Sequence, residues 1–179
     1  MKRYIAVPAL LLALCLAAGC AGAETAVPEY MQKPLADFTA ATADGGTFTL
    51  SEALQEKDLV LINLWATWCG PCVMEFPFMQ QAYEQYSDRV GIIALSVDPG
   101  DTPENIAAFA EKLGLTFPMG NDSETGLAEI FQVMYIPTTV LVDKAGNVLR
   151  LEVGTQPSAE AFAQMFDEAL AETAAGAES

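Results

Sequence analysis

Leu59-Val60-Leu61-Ile62-Asn63-Leu64-Trp65-Ala66-Thr67-Trp68-Cys69-Gly70-Pro71-Cys72 joins two patterns in one short stretch. Leu59 to Ala66 is a near-continuous apolar run, as a strand covered on both faces requires. From Gly70 to Tyr86 the pattern turns helical, with Met79, Tyr83 and Tyr86 on one face and Pro77 predicting a kink. The two cysteines stand where strand becomes helix. Cys69 falls at the helix N-terminus, where unpaired N–H groups and the helix dipole favour a thiolate. Its pKa is expected below the ordinary thiol value of about 8.5. Cys72 lies one turn further in, close enough to close a disulfide. Cys69 is then the exposed attacker and Cys72 the buried resolver. Pro71 lacks an N–H at a position that has no helical acceptor.

Outward from this stretch the chain reads as α/β. Phe38 to Thr42 and Thr47 to Leu50 flank Asp44-Gly45-Gly46, a hairpin signal. Gly91 to Val97 is a second buried strand. A helix begins at Thr102-Pro103-Glu104, carries Ile106, Phe109, Ala110 and Leu113, and ends at Gly114. Leu115 to Met119 reads as a short strand and Ser123 to Phe131 as a short helix. Thr138 to Val142 and Val148 to Val153 form a hairpin around Lys144-Ala145-Gly146-Asn147. A last amphipathic helix runs from Ser158 to about Leu170. Alternating strands and helices predict parallel strands with right-handed crossovers, closed by an antiparallel pair. The expected organisation is one three-layer domain over 34–171, with a frayed tail over 172–179.

The chain has 179 residues, 52% of them hydrophobic and 18% charged, which supplies a packed core and excludes wholesale disorder. Lys and Arg number 8 against 24 Asp and Glu, for a formal charge of −16 with no histidine. Such acidity excludes nucleic-acid binding by the main body. The missing histidine closes Ser-His-Asp and Cys-His hydrolysis and removes the commonest zinc ligand. Outside the Cys69/Cys72 pair the only cysteines are Cys15 and Cys20, so no metal site is expected. A purely structural disulfide remains open, although so short a loop restrains the unfolded chain little. A peroxiredoxin would carry Pro-x-x-x-Thr-x-x-Cys, and Thr67 is not three residues before either cysteine.

Lys2 and Arg3 precede an uncharged, Leu/Ala-rich stretch from Ile5 to Ala23, the pattern of a secretory signal. Leu16-Ala17-Ala18-Gly19-Cys20 resembles a bacterial lipobox, with Ala17 where Leu is usual. Cleavage over 1–19 would leave Cys20 as a lipid-bearing N-terminus, followed by a tether over 20–33. An uncleaved anchor and a plain signal cut near Ala23 stay open. Each places the domain beyond the cytoplasmic membrane. Losing Lys2 and Arg3 leaves the mature chain at −18, which disfavours docking on anionic lipid.

Trp68-Cys69-Gly70-Pro71-Cys72 after an apolar strand resembles the thioredoxin superfamily, and the body from Pro34 to Leu170 resembles its TlpA-like/ResA-like redoxin branch of membrane-anchored thiol–disulfide oxidoreductases. The resemblance implies a thioredoxin-like fold: a mixed central sheet, an N-terminal β-hairpin and a helix–strand insertion over Pro103 to Met119. It implies that Ile136-Pro137-Thr138 is the loop whose cis Pro137 faces the cysteines, with the Ile136 backbone open to an extended substrate. Asn63 occupies the position of the buried Asp of ordinary thioredoxins, and it cannot ionise. By spacing alone Glu75 reads as a solvated helix residue. The resemblance instead implies a carboxylate that takes the Cys72 proton. Trp68 is expected half packed and half substrate-facing, and Trp65 in the core.

The function so implied is an extracytoplasmic protein disulfide reductase, monomeric, with no cofactor beyond its dithiol. It would be recharged by a membrane electron donor of the CcdA/DsbD type and act on disulfide-containing exported proteins. It would stand on the outer face of a bacterial membrane, in the periplasm or on the cell surface. A disulfide-donating oxidase and a non-catalytic binding lipoprotein with a vestigial cysteine pair are the alternatives.

Overall fold

The apolar run is strand β3 (Leu59–Trp65), buried along its whole length. It has a neighbour on each side. β4 (Val90–Ser96) runs parallel to it with Val90 opposite Leu59, and β6 (Thr138–Asp143) runs antiparallel with Thr138 opposite Leu64. β5 (Met119–Asn121) adds in parallel beyond β4 and β7 (Val148–Val153) antiparallel beyond β6, giving the order β5-β4-β3-β6-β7. A hairpin of β1 (Thr39–Ala41) and β2 (Thr47–Thr49) precedes the sheet and bridges to it from Thr42 to Gly120. A Cβ at residue 120 would stand 2.4 Å from the Ala41 carbonyl oxygen, so only glycine admits the hairpin there. The computed structural model describes residues 33–177; the expected signal segment, Cys20 and residues 20–32 of the expected tether lie outside them.

Side-chain alternation along β3 separates two apolar layers. Leu59, Leu61 and Trp65 pack with Cys72, Phe76 and Met79 of α2 (Gly70–Tyr86), with Ile106 of α3 (Pro103–Leu113), and with Phe162 and Phe166 of α5 (Ala159–Ala177). Val60, Ile62 and Leu64 pack with Leu50 and Leu54 of α1 (Leu50–Glu56) and Leu127 of α4 (Leu127–Ile130). The expected three-layer α/β architecture with a mixed sheet is present. Residue 63 falls on the α2 side of β3, which matters for the site.

Several elements differ from the sequence expectation. The strand expected to reach Leu50 ends at Thr49, and Leu50 opens α1, whose Ser51 N–H and hydroxyl are both taken by the Asp37 carboxylate. The strand expected over Leu115 to Met119 begins only at Met119. Pro118 has no N–H, and the Thr116 N–H is already given to Gln80 of α2 at 2.9 Å. The helix expected from Ser123 to Phe131 is a 3-10 turn at Asp122–Glu124 and then α4, separated by Gly126 in a left-handed conformation (φ 65°). α2, by contrast, has the expected extent from Gly70 to Tyr86, with Pro77 inside it. The tail expected to fray from residue 172 instead stays helical to Ala177. Its alanines favour helix, and Glu172 is anchored by the Arg150 guanidinium.

Candidate active site

Cys69 is the N-cap of α2, and its Sγ accepts the Cys72 N–H at 3.2 Å. The two cysteines are joined as a disulfide, with Cα atoms 5.3 Å apart. Cys69 keeps 4% of its surface and Cys72 none. The expected ranking holds, but the expected exposure of Cys69 needs correction: the residue is nearly buried. The loop before β6 closes over it. The Ile136–Pro137 bond is cis, and the Ile136 carbonyl oxygen stands 3.7 Å from Cys69 Sγ. That loop is fixed from both sides, by the Thr138 hydroxyl donating to the Tyr135 carbonyl at 2.7 Å and by the Gly154 N–H donating to Pro137 at 2.8 Å.

The segment before Cys69 is held by a second set of bonds. Buried Asp101 accepts the Thr67 N–H at 2.9 Å, the Thr67 hydroxyl at 2.5 Å and the Ser96 hydroxyl at 2.5 Å. The Trp68 indole N–H donates to Asp98 at 2.6 Å, so the ring is oriented although 68% of the residue is exposed. Trp65 lies in the core as expected, and Trp68 is more exposed than the expected half-packed position. Trp65 is wholly buried, its ring 4.9 Å from Phe76 and 4.8 Å from Phe109.

Glu75 is fully buried, which removes the solvated-residue alternative. Cys72, Glu75, Phe76 and Met79 share one helical stripe facing β3, so the carboxylate follows the inner thiol by one turn. Its Oε1 accepts Asn63 Nδ2 at 2.9 Å, and its Oε2 accepts the Gln156 N–H at 2.9 Å. Burial pushes the pKa up from 4.5 to about 7, against these two bonds, which pull it down. A carboxyl poised there can take or give a proton at neutral pH. Asn63 also donates to the Thr139 hydroxyl at 3.2 Å, while its Oδ1 is buried without a partner. The apolar run already contained a signal for this contact: an amide in the middle of a buried strand must find a polar partner. Gln156 acts through its backbone, and no local pattern announced it. Asp101 reads locally as a loop carboxylate, and only the fold brings Thr67 and Ser96 to it.

The family model for the AhpC/TSA family matches residues 31–150. The chain belongs to the AhpC/TSA family. Thioredoxin-like protein YneN of Bacillus subtilis (strain 168) is 35% identical over 138 residues, which is 76% of this chain and 78% of YneN. Thiol-disulfide oxidoreductase ResA of Geobacillus thermodenitrificans (strain NG80-2) is 40% identical over 96 residues, 54% of this chain, and the alignment spans 55% of ResA. A thiol:disulfide interchange protein of the thioredoxin family from Chlorobium tepidum TLS superimposes with a TM-score of 0.68 at 28% identity, over 77% of this chain and 96% of that one. Together with the disulfide-linked Cys69–Cys72 pair, these similarities make this member of the family a ResA-like thiol–disulfide oxidoreductase on a thioredoxin-like fold.

Proposed function

We propose that the chain reduces disulfides of exported proteins from a lipid anchor at Cys20, on the outer face of a bacterial membrane. Reduced Cys69 attacks a substrate disulfide and forms a mixed disulfide, releasing the first substrate thiolate, which takes a proton from water. The Cys72 thiol then gives its proton to Glu75, and the thiolate attacks Cys69 Sγ. The Cys69–Cys72 bond forms and the second substrate sulfur leaves as a thiolate. Pro137 and Ile136 present backbone to the substrate beside the sulfur. A membrane dithiol carrier of the CcdA/DsbD type returns two electrons. The observation that carries the reading is Glu75: a fully buried carboxyl, one turn beyond the inner cysteine, with a pKa near 7. The Gly70-Pro71 dipeptide supports the reducing direction.

Equilibrating the full chain against defined thiol–disulfide buffers tests the direction. A reduction potential at or below about −230 mV, towards thioredoxin's roughly −270 mV, is the expected result. A value near about −120 mV would reverse the direction to disulfide donation. A pair that does not exchange would leave a binding protein.

A further inference from the structure

Exposed apolar side chains stand near Cys69. Trp68 adjoins the cysteine, and Met134 and Tyr135, 81% and 74% exposed, lead into Ile136, whose carbonyl stands beside the sulfur. Met74 on α2 is also exposed, as is Val153, which pairs with Thr138 immediately after Pro137. Carboxylates accompany this collar. Asp98 holds the Trp68 indole, Asp101 holds Thr67, and Glu152 lies opposite Thr139.

The described cations are elsewhere. Lys57 and Arg89 stand just before β3 and β4, at the ends away from the cysteines, and Arg89 is paired with Asp58 at 2.8 Å. Lys144 is in the β6–β7 turn, where Asp143 lies opposite Leu59. Lys33 precedes Leu35, whose N–H is bonded to Gly146 in that turn. Lys112 is in the last turn of α3. Arg150, two residues before Glu152 on β7, is the cation nearest the site; it is tied to Glu172 and feels Glu168 and Glu152 as well, so carboxylates outnumber it there. The length of β3, about 20 Å, therefore separates the site from the cations at its far end. That exceeds the screening length of about 8 Å at physiological salt, so their charge is not felt at the sulfur. Among the described residues, the charge beside Trp68 is that of Asp98 and Asp101, and at Glu152 a carboxylate majority surrounds Arg150.

From this partition we infer that the active-site face takes a cystine held in an extended polypeptide whose neighbouring residues are apolar and basic, in preference to an acidic segment or a small anionic disulfide. This deepens the proposed reductase function and rests on it. Tyr135, Met134 and Trp68 cover the apolar neighbours, and the carboxylates beyond them attract Lys or Arg. Trp68, held by Asp98, also offers a π face to a cation.

The test compares two peptides that share one apolar cystine core, flanked by lysines in one and glutamates in the other, with neutral hydroxyethyl disulfide as reference. At low salt the lysine peptide is expected to be reduced with a kcat/KM at least about tenfold higher, and the gap is expected to close in 0.5 M salt. Met134→Ser with Tyr135→Ser should raise KM for both peptides by a larger factor than for hydroxyethyl disulfide. Asp98→Asn with Glu152→Gln should shrink the ratio of the lysine-peptide to the glutamate-peptide kcat/KM by a larger factor than it changes the rate on hydroxyethyl disulfide. Equal rates for the two peptides, or a preference that ignores salt, would overturn the inference while the reductase reading stands. Failure to reduce even hydroxyethyl disulfide would overturn the reductase reading. The surface is then read without chemistry, from the salt-dependent affinity of the oxidised chain for serine versions of the peptides. Equal affinities there would also overturn the inference.

Discussion

Glu75 and Asp101 are both buried carboxylates beside the disulfide, yet Asp101 takes hydrogen bonds from a backbone N–H and two hydroxyls, whereas each Glu75 oxygen takes a single one. Asp101 sits between two loops and clamps Thr67 to Ser96. Glu75 sits in an apolar layer against Asn63, with little to offset the loss of water. The two carboxylates do different work: Asp101 fixes the segment before Cys69, whereas Glu75 lies one helical turn from a thiol.

The largest effect that tests this contrast comes from the sulfur that Glu75 follows. Cys72→Ser should abolish turnover and leave a mixed disulfide on Cys69, seen as a covalent adduct by mass spectrometry. If turnover survived, the contrast would lose its reacting partner.

Glu75→Gln should slow resolution of the mixed disulfide by about 10²-fold, in the range of general acid–base groups. In the unaltered chain that step should speed up as pH rises through about 7, because only the ionised carboxylate accepts the Cys72 proton. The variant should lose this inflection in stopped-flow traces. Stability carries the opposite sign. A carboxyl whose folded pKa is raised stabilises the fold fully below its ordinary 4.5, and the contribution fades as pH climbs to about 7. At 1.36 kcal/mol per pH unit this amounts to about 3 kcal/mol, and Glu75→Gln should flatten the slope in denaturant titrations.

Asp101→Ala should act differently, destabilising the domain by about 2 kcal/mol as its donors lose their acceptor. Its rate inflection near pH 7 should stay in place. A displaced inflection would show that both carboxylates share the proton work. The smallest effect sharpens the Glu75 side. Asn63→Leu withdraws a donor from the ionised form, so the inflection should move upward by up to about one pH unit.

Much of this was legible in the residues. The β3 run, the cysteines at its end and the helix through Tyr86 read correctly because strand burial and helix initiation are local events. So did the hairpin of β6 and β7. The short elements failed: α1 was hidden behind a strand-like Thr47 to Thr49, and Gly126 divided what looked like one helix. Around the cysteines, Trp68 and Glu75 were identifiable through the resemblance to the thioredoxin superfamily, since spacing alone left Glu75 a solvated helix residue, but Asp101, Thr139 and the Gln156 backbone were not.

By itself the sequence determined that Cys69 caps a helix, that Cys72 lies inside it, and that Glu75 follows on the same stripe, because helix geometry relates residues three and four apart. Whether that stripe faced water or core was decided only in three dimensions. Asn63 and Gln156, 12 and 81 positions from Glu75, meet its carboxylate because β3 and the end of β7 lie against α2. Desolvation depends on everything packed around a group, and that is a property of the assembled fold.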